Sequence, residues 1–517
     1  MGVQSLVERA RVAVRRLPGT GGVWLGSALV FAFVGGPAWA DGPRNSLDQA
    51  DQIRRQRLQY EQREQELERT APPAPPVEPP AAPLLAPPPS SCFAISRIEV
   101  TGVTVVTEDE MAEATAPFAG KCLALADLDH VLDALNGLFI KKGFVLTRAY
   151  LPEQDLKSGV LRIVVIEGRI EGGSFKDGDR RGELFMAFPG LAGGPFNLRD
   201  AEQGVEQMNR LPGWDAKIAL SPGKQAGTSR MEVDAAATPL LSGKIGTNGY
   251  GGAQTGHDQG QVDLGLANAL GILDALSAEY DRTIDDPGPQ HFSDALSARA
   301  SVPYGYWALL GEYDFSNYHY DVQGVTAKFA LRGHTERVSA ALNRVLGRTQ
   351  SSKTSLEAGY EVKRHASFLE DVKLYSQSQD LAAISLRLTY SVNLGGDVWY
   401  STVGLKRGMG AMGTDLKGQP VPVPSSPHAV YDKPSYDLNG FHPFSLGGVA
   451  FNWNPAFHYE YATHTLYGSE QLNVGGPFTV RGFHDNSVIG EHGGYLRNDV
   501  LLPLPESVLP ADGNGAF

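Results

Sequence analysis

At 517 residues the chain is longer than one ordinary domain, so several modules are expected. Its 45 Lys and Arg against 58 Asp and Glu leave a net charge of −13, which excludes a dedicated nucleic-acid binder with a basic footprint. A hydrophobic content of 42% and a mean hydropathy of −0.21 exclude a helical membrane protein, whereas membrane β-strands hide their apolar content by alternation.

The one long apolar run, Gly22–Gly36, follows Arg9, Arg11, Arg15 and Arg16 and leads into Ala38-Trp39-Ala40. A basic region, an apolar stretch too short to span a bilayer and an A-x-A site predict a signal peptide over residues 1–40, with Asp41 first in the mature chain. No Cys follows the site, so lipid attachment there is not indicated. The two cysteines, Cys92 and Cys122, suit an oxidising compartment, where a disulfide between them would stabilise by about 3–4 kcal/mol. Two cysteines alone make neither a zinc site nor redox chemistry.

Ser46-x-x-Gln49 reads as a capping box opening a stretch, Asp48–Arg69, with no Pro or Gly. Its residues are mainly Gln, Arg and Glu. Two readings stay open: a helix polar on every face, which must sit in water or a watery channel, or a solvated tail. Ala71–Pro89 holds ten prolines in nineteen positions and predicts a semi-rigid linker within 71–91. Extended, it would reach roughly 60 Å, more than the depth of a bilayer.

From Cys92 the texture is that of a small α+β unit over 92–168. Phe93–Val100 predicts a strand, and Thr107-x-x-Glu110 caps a short helix. Asp127 precedes a helix whose stripe is Leu128, Val131, Leu132, Leu135, Leu138 and Phe139, ended by Gly143. Strands follow over Phe144–Leu151 and Val160–Glu167. A second unit, 169–239, repeats the logic with a strand Arg169–Phe175, a helix Leu198–Asn209, and strands around Trp214–Leu220 and Ser229–Ala236.

Beyond about Leu240 strands dominate. Leu296, Ala298, Ala300 and Val302 alternate with Ser297, Arg299 and Ser301, and Ile384 through Val392 alternate with Ser385 through Asn393. A soluble sandwich also alternates. Charges recurring on one parity, with aromatics near strand ends, favour lipid outside and a wet lumen inside. Eleven or twelve strands are counted, the parity across Arg364–Ala383 is ambiguous, and Gly413–Gly447 is expected to be one long loop.

Several segments, taken together, resemble the two-partner secretion transporters, which export hemolysins and filamentous adhesins. Cys92-Phe93-x-Ile95-x-x-Ile98, Gly120-Lys121-Cys122-Leu123 and Ala149-Tyr150-Leu151-Pro152-Glu153-Gln154 resemble that family's first polypeptide-transport-associated (POTRA) domain. Val165-Ile166-Glu167-Gly168-Arg169-Ile170 resembles the junction to the second, and Leu198-Arg199-Asp200-x-Glu202-Gln203, Asn209-Arg210-Leu211 and Pro222-Gly223 resemble the second itself. Val302-Pro303-Tyr304-Gly305 and Val480-Arg481-Gly482-Phe483 match barrel motifs.

The resemblance implies α+β periplasmic POTRA domains followed by a sixteen-stranded outer-membrane β-barrel, with the polar stretch 41–70 as a plug helix in its lumen. It places Val480, Arg481, Gly482 and Phe483 at the tip of a loop, near 475–490, that folds back into the barrel. Arg481 offers a fixed fork of donors and needs a carboxylate; Asp499 is the candidate within this chain. The family's own acidic motif and remaining strands lie beyond the last residue here, so the expectation is an incomplete, C-terminally truncated barrel of about twelve strands over 240–517. Its edge strands should be unpaired and Arg481 short of an acidic partner.

The implied partner is a secreted exoprotein with an N-terminal secretion domain, captured by strand addition. The candidate contacts are the first unit's edge strand and neighbouring helix face: Ile140, Phe144, Leu146 and Arg148. Outer-membrane lipid is the other partner; no nucleic acid, cofactor or metal is expected, and the chain is read as a monomer. A barrel-assembly insertase of the same superfamily is the alternative. No H-E-x-x-H, G-x-S-x-G or G-x-x-x-x-G-K-[ST] occurs, and the twelve histidines are scattered, which argues against an enzyme.

Overall fold

The structure, a computed structural model, describes residues 54–61, 92–235, 240–285, 291–410, 426–482 and 487–503. The expected leader (1–40), the proline linker (71–91), most of the plug stretch and Phe483 lie outside the described residues. Residues 54–61 form a helix, α1.

The first globular unit runs β1 (Phe93–Ile95), β2 (Arg97–Thr101), α2 (Glu108–Thr115), β3 (Lys121–Leu123), α3 (Leu125–Lys141), β4 (Arg148–Tyr150) and β5 (Val160–Ile166). Central β5 lies parallel to β2 and antiparallel to β4. Its period of two sends Leu161, Ile163 and Val165 inward. They meet Leu128, Val131, Leu135 and Phe139, the stripe of α3. The Thr107–Glu110 box caps α2 as its spacing dictates. Asp127 does not precede α3: it is the third helical residue, and its carboxylate accepts the Ala124 N–H at 2.7 Å. Cys92 and Cys122 form a disulfide closing the β1–β3 pair. The strand expected over Phe144–Leu151 forms only at Arg148–Tyr150, because Phe144 through Thr147 turn into a joint with the next unit.

The second unit comprises β6 (Arg169–Phe175), α4 (Arg181–Ala187), α5 (Leu198–Asn209), β7 (Lys217–Pro222) and β8 (Thr228–Asp234), in sheet order β6-β8-β7. Ile170, Phe175, Phe188, Met208, Leu211, Met231 and Val233 build its core. Two turns of α4 are too short to show a helical period in sequence.

Twelve strands then follow one antiparallel path: β9 (Leu241–Asn248), β10 (Gln259–Ala267), β11 (Ala275–Thr283), β12 (Phe292–Tyr304), β13 (Trp307–Gln323), β14 (Lys328–Arg348), β15 (Ser352–Leu369), then β17 (Gln379–Leu394), β18 (Asp397–Met409), β19 (Asp432–Leu446), β20 (Val449–Glu460) and β23 (Gly493–Leu501). The short β16 (Val372–Lys373) pairs only with β15; with it and a single turn at Tyr375–Gln377, the ambiguous region becomes a loop excursion between two long strands. The small pair β21 (Leu472–Val474) and β22 (Val488–Gly490) belongs to the fold-back loop.

The long loop expected over Gly413–Gly447 is corrected. From Asp432 onward it is β19, a full member of the wall, with Tyr436 opposite Val403 and Leu438 opposite Phe457. Pro434, Gly440 and Pro443 hide its alternation in composition while leaving the pleat intact. On one face of the wall Leu309, Val338, Leu342, Ile384, Leu386, Leu388, Val403 and Leu405 are all exposed; on the other Glu312, Asp314, Arg337, Glu361 and Lys363 pair among themselves and with the loop. That is the apolar-out, polar-in pattern of a membrane barrel. Among the described residues the end strands β9 and β23 are not paired with each other.

Candidate functional site

Helix α1 lies against the polar face of the wall. Arg57 is buried, its guanidinium held by Glu279, by Asp281 at 2.8 Å and by Gln261 at 3.4 Å. Arg54 donates to Ser297 at 2.7 Å and lies 3.5 Å from Asp281. On its other side, Gln56 donates to the Asn473 carbonyl at 2.9 Å, Tyr60 faces Phe478, and Arg497 sits 4.5 Å over the Tyr60 ring. Of the two readings left open by sequence, residues 54–61 take the helical one, in a polar channel.

The fold-back loop joins β20 to β23. Arg481, with Asp499 its candidate within this chain and otherwise expected to be short of an acidic partner, has its Nη1 2.9 Å from Asp499 on β23, while its Nε donates to the Pro477 carbonyl at 3.0 Å. Asp499 also receives Arg497 at 2.9 Å, and Arg497 donates to the Phe478 carbonyl at 2.7 Å. Asp499 and Arg497 share the inward parity of β23. Val480 closes the turn, its carbonyl accepting the Gly476 N–H. Gly482 is at the tip, and Phe483 lies outside the described residues.

Sequence reasoning passed over Glu470. Buried in the loop, it receives Lys363 and Lys406 from β15 and β18, while Lys433 of β19 binds its carbonyl. The available signal was three lysines at inward parity on neighbouring strands, which demand a carboxylate from elsewhere.

The four candidate substrate contacts divide. Ile140 and Arg148 are exposed, Arg148 on β4, the edge of its sheet. Leu146 packs against the core of the second unit, and a Cβ on Gly168 would meet Leu146 Cβ at 2.3 Å. Phe144 packs against the first unit's core. The joint is fastened by the Leu198 N–H to the Gly143 carbonyl at 2.8 Å and by Asn197 to the Lys142 carbonyl. Phe144 and Leu146 are therefore partly buried within the fold. Tyr150, beside Arg148 on the same edge, is half exposed and was not singled out.

Helix α5 docks on the periplasmic turns of the wall through residues spaced three or four apart, one helical face. Asp200 accepts the Tyr306 hydroxyl at 2.6 Å, Gln207 donates to the Gly305 carbonyl at 3.0 Å, and Arg210 reaches the Leu273 carbonyl and Ser301. Glu206 takes Lys353 at 2.6 Å and also Arg348. Burial favours the neutral form of Glu206, but Lys353 and Arg348 outweigh it and hold the carboxyl below its ordinary value. Burial, with the Asp200 carboxylate alongside, raises the Tyr306 hydroxyl, which stays a donor. Gly305, at φ +54°, donates to the Met186 carbonyl at 2.7 Å, and any Cβ there would strike Pro189.

Comparison with known proteins places this arrangement. A family model described as haemolysin secretion/activation protein ShlB/FhaC/HecB matches residues 227–514. Models for a ShlB-type POTRA domain and a POTRA domain match residues 93–168 and 169–222. The outer membrane transporter CdiB of Escherichia coli O6:K15:H31 (strain 536 / UPEC) is 33% identical over 425 residues, covering 80% of this chain and 70% of its own. The hemolysin transporter protein ShlB of Serratia marcescens is 28% identical over 422 residues, covering 81% and 73%. Among solved structures, CdiB from Escherichia coli matches with a TM-score of 0.81 at 30% identity, over 90% of this chain and 86% of that one. CdiB from Acinetobacter baumannii, 20% identical, shares the fold with a TM-score of 0.72 over 90% and 87%.

Proposed function

The chain belongs to the ShlB/FhaC/HecB family of haemolysin secretion/activation proteins, outer-membrane transporters of two-partner secretion, and from that premise we propose how its residues divide the work. Its partner is a secreted exoprotein. The exoprotein's N-terminal secretion domain, still extended, adds at the edge of β4 by displacing the Asn136 side chain from the Ala149 N–H, and Arg148, Tyr150 and nearby Ile140 read alternate side chains. The segment then enters the lumen as α1 leaves it. With no nucleotide motif in the chain, the pull comes from folding of the exoprotein outside the cell. The wall's apolar face sits in outer-membrane lipid, and one chain forms one channel.

The observation that carries this reading is α1 itself. A helix held against a polar wall chiefly by Arg57, Glu279 and Asp281, with Leu58 and Tyr60 its only described apolar side chains, has little hydrophobic anchorage, so it seals the resting pore and remains displaceable. The test is co-expression with the exoprotein encoded in the neighbouring reading frame. Its appearance in the medium, lost when Arg148 and Tyr150 are replaced by proline-flanked alanines, supports the reading. Export unaffected by blocking the β4 edge rejects that docking site. A general loss of other outer-membrane barrels on depletion of this chain, with exoprotein export intact, favours the insertase.

A further inference from the structure

The fold-back loop is held at two places of different character. Its first limb carries Ser469 and Glu470, both buried. The Glu470 carboxylate accepts from Lys363 with one oxygen and, with the other, from Lys406 at 2.6 Å and the Tyr431 hydroxyl at 2.7 Å. Lys363 also donates to the Ser469 carbonyl at 2.9 Å, and Lys433 to the Glu470 carbonyl at 2.9 Å. Lys406 and Lys433 are shared with Glu361 and Glu460 on the wall. Three lysines thus face three glutamates, and withdrawing Glu470 would leave an uncompensated cation in a buried cluster.

The tip is held differently. Arg481 is more than half exposed, and Asp499 keeps Arg497 if Arg481 departs. Phe478 beside the tip meets Tyr60 of α1 and Tyr250, and its carbonyl accepts from Arg497; ahead of the tip, the Asn473 carbonyl accepts from Gln56 of α1. Between the limb and the tip stand Gly475 and Gly476, with φ of +137° and +106°. Consecutive residues in that region bend without the penalty a side chain would bring.

We propose that Glu470 is the fixed pivot of the fold-back loop, a positioning residue that keeps the first limb on the wall while the tip swings about Gly475-Gly476 once α1 has left. The lysine cage rather than the Arg481–Asp499 pair then determines where the loop sits in the open channel. The inference rests on displacement of α1, and its test uses no exoprotein, so it stands or falls separately from substrate capture.

Spin labels are placed on the full chain in lipid vesicles at Val474, the end of the limb, or Val480, the tip. The described cysteines are joined to each other, which leaves an introduced thiol as the label site. Deleting Asp41–Arg69 should mobilise the label at 480 severalfold and leave that at 474 immobile. In that deletion carrying Glu470→Gln as well, both should become mobile, with heat-modifiable migration on gels confirming a folded wall. Should Glu470→Gln fail to insert, Lys406→Met with the same labels serves, since it removes one cation of the cage from outside the loop. Equal mobilisation of both labels by the deletion alone, or an immobile label at 474 in the cage variants, overturns the proposal.

Discussion

Tyr60 of α1 and Phe478 of the fold-back loop face each other with ring centroids 5.8 Å apart, and Tyr250 meets the same Phe478 at 5.0 Å. The loop ring thus meets both α1 and Tyr250, just past the end of β9, which couples the positions of helix and loop.

The first prediction follows from that coupling. Deleting Asp41–Arg69 should raise ion conductance in planar bilayers while secretion persists. Tyr60→Ala should do so in part. An aromatic pair is worth about 1 kcal/mol beyond its buried area, or a factor of roughly five in the plugged population. Unchanged conductance in both variants would remove α1 from its assigned role.

Arg481 and Asp499 make an unequal pair. Arg481 is largely solvated, so its side of the bridge contributes at most about 1 kcal/mol. Asp499 is buried and also neutralises Arg497, itself almost buried. Asp499→Asn therefore strands a cation at a cost of about 3 kcal/mol. Secretion and the thermal stability of the inserted barrel should both fall further in Asp499→Asn than in Arg481→Ala. The reverse order would mean that the arginine acts through something other than Asp499.

The sequence made some of this legible for physical reasons. Alternation in β12 and β17 and the stripe of α3 repeat over enough residues to be read directly, and α5 was bounded residue for residue because Asn197 and Pro195 precede it and Gly213 follows. β19 was hidden because Pro434 and Pro443 signal turns locally, while a strand in a ladder tolerates them where no partner needs the N–H. Leu146 was read as a substrate contact because an alternating run says nothing about a neighbouring domain; its partner, the core of the second unit, is remote in sequence. Glu470 was missed for the same reason: its three lysines sit 107, 64 and 37 positions away.

The Cys92–Cys122 bridge closes a loop of 30 residues. In the chain-entropy model that is worth about 3.5 kcal/mol to the first POTRA unit. Cys92→Ser with Cys122→Ser should lower the urea midpoint of that unit by the equivalent amount, and reductant should do the same to the parent chain. Because β1 and β3 lie apart from the β4 edge, capture of exoprotein at low temperature should be little altered. An unchanged midpoint would show that the native bridge carries no stability.

The last prediction concerns the dock beneath the barrel. Glu206 lies between Lys353 and Arg348, and its carboxyl is held below its ordinary value because those cations outweigh the effect of burial. A carboxylate depressed in the folded state contributes its full stabilisation above the unfolded value, about 4.3, and loses it as pH falls through the lower folded value. The dock should thus be indifferent to pH between neutrality and about 5, then weaken below about 4. The effect is modest: Glu206 keeps two-fifths of its side chain exposed, so solvent screening limits it to the order of 1 kcal/mol. The reporter is the Gly305 amide, which donates to the Met186 carbonyl across this interface. Its hydrogen exchange, compared at each pH between the parent chain and Glu206→Gln so that the intrinsic rate cancels, should be slower in the parent at pH 7. The two should converge as the pH is lowered past 4. A difference that persists unchanged in acid would mean that the charge of Glu206 is not what fastens α5 to the turns.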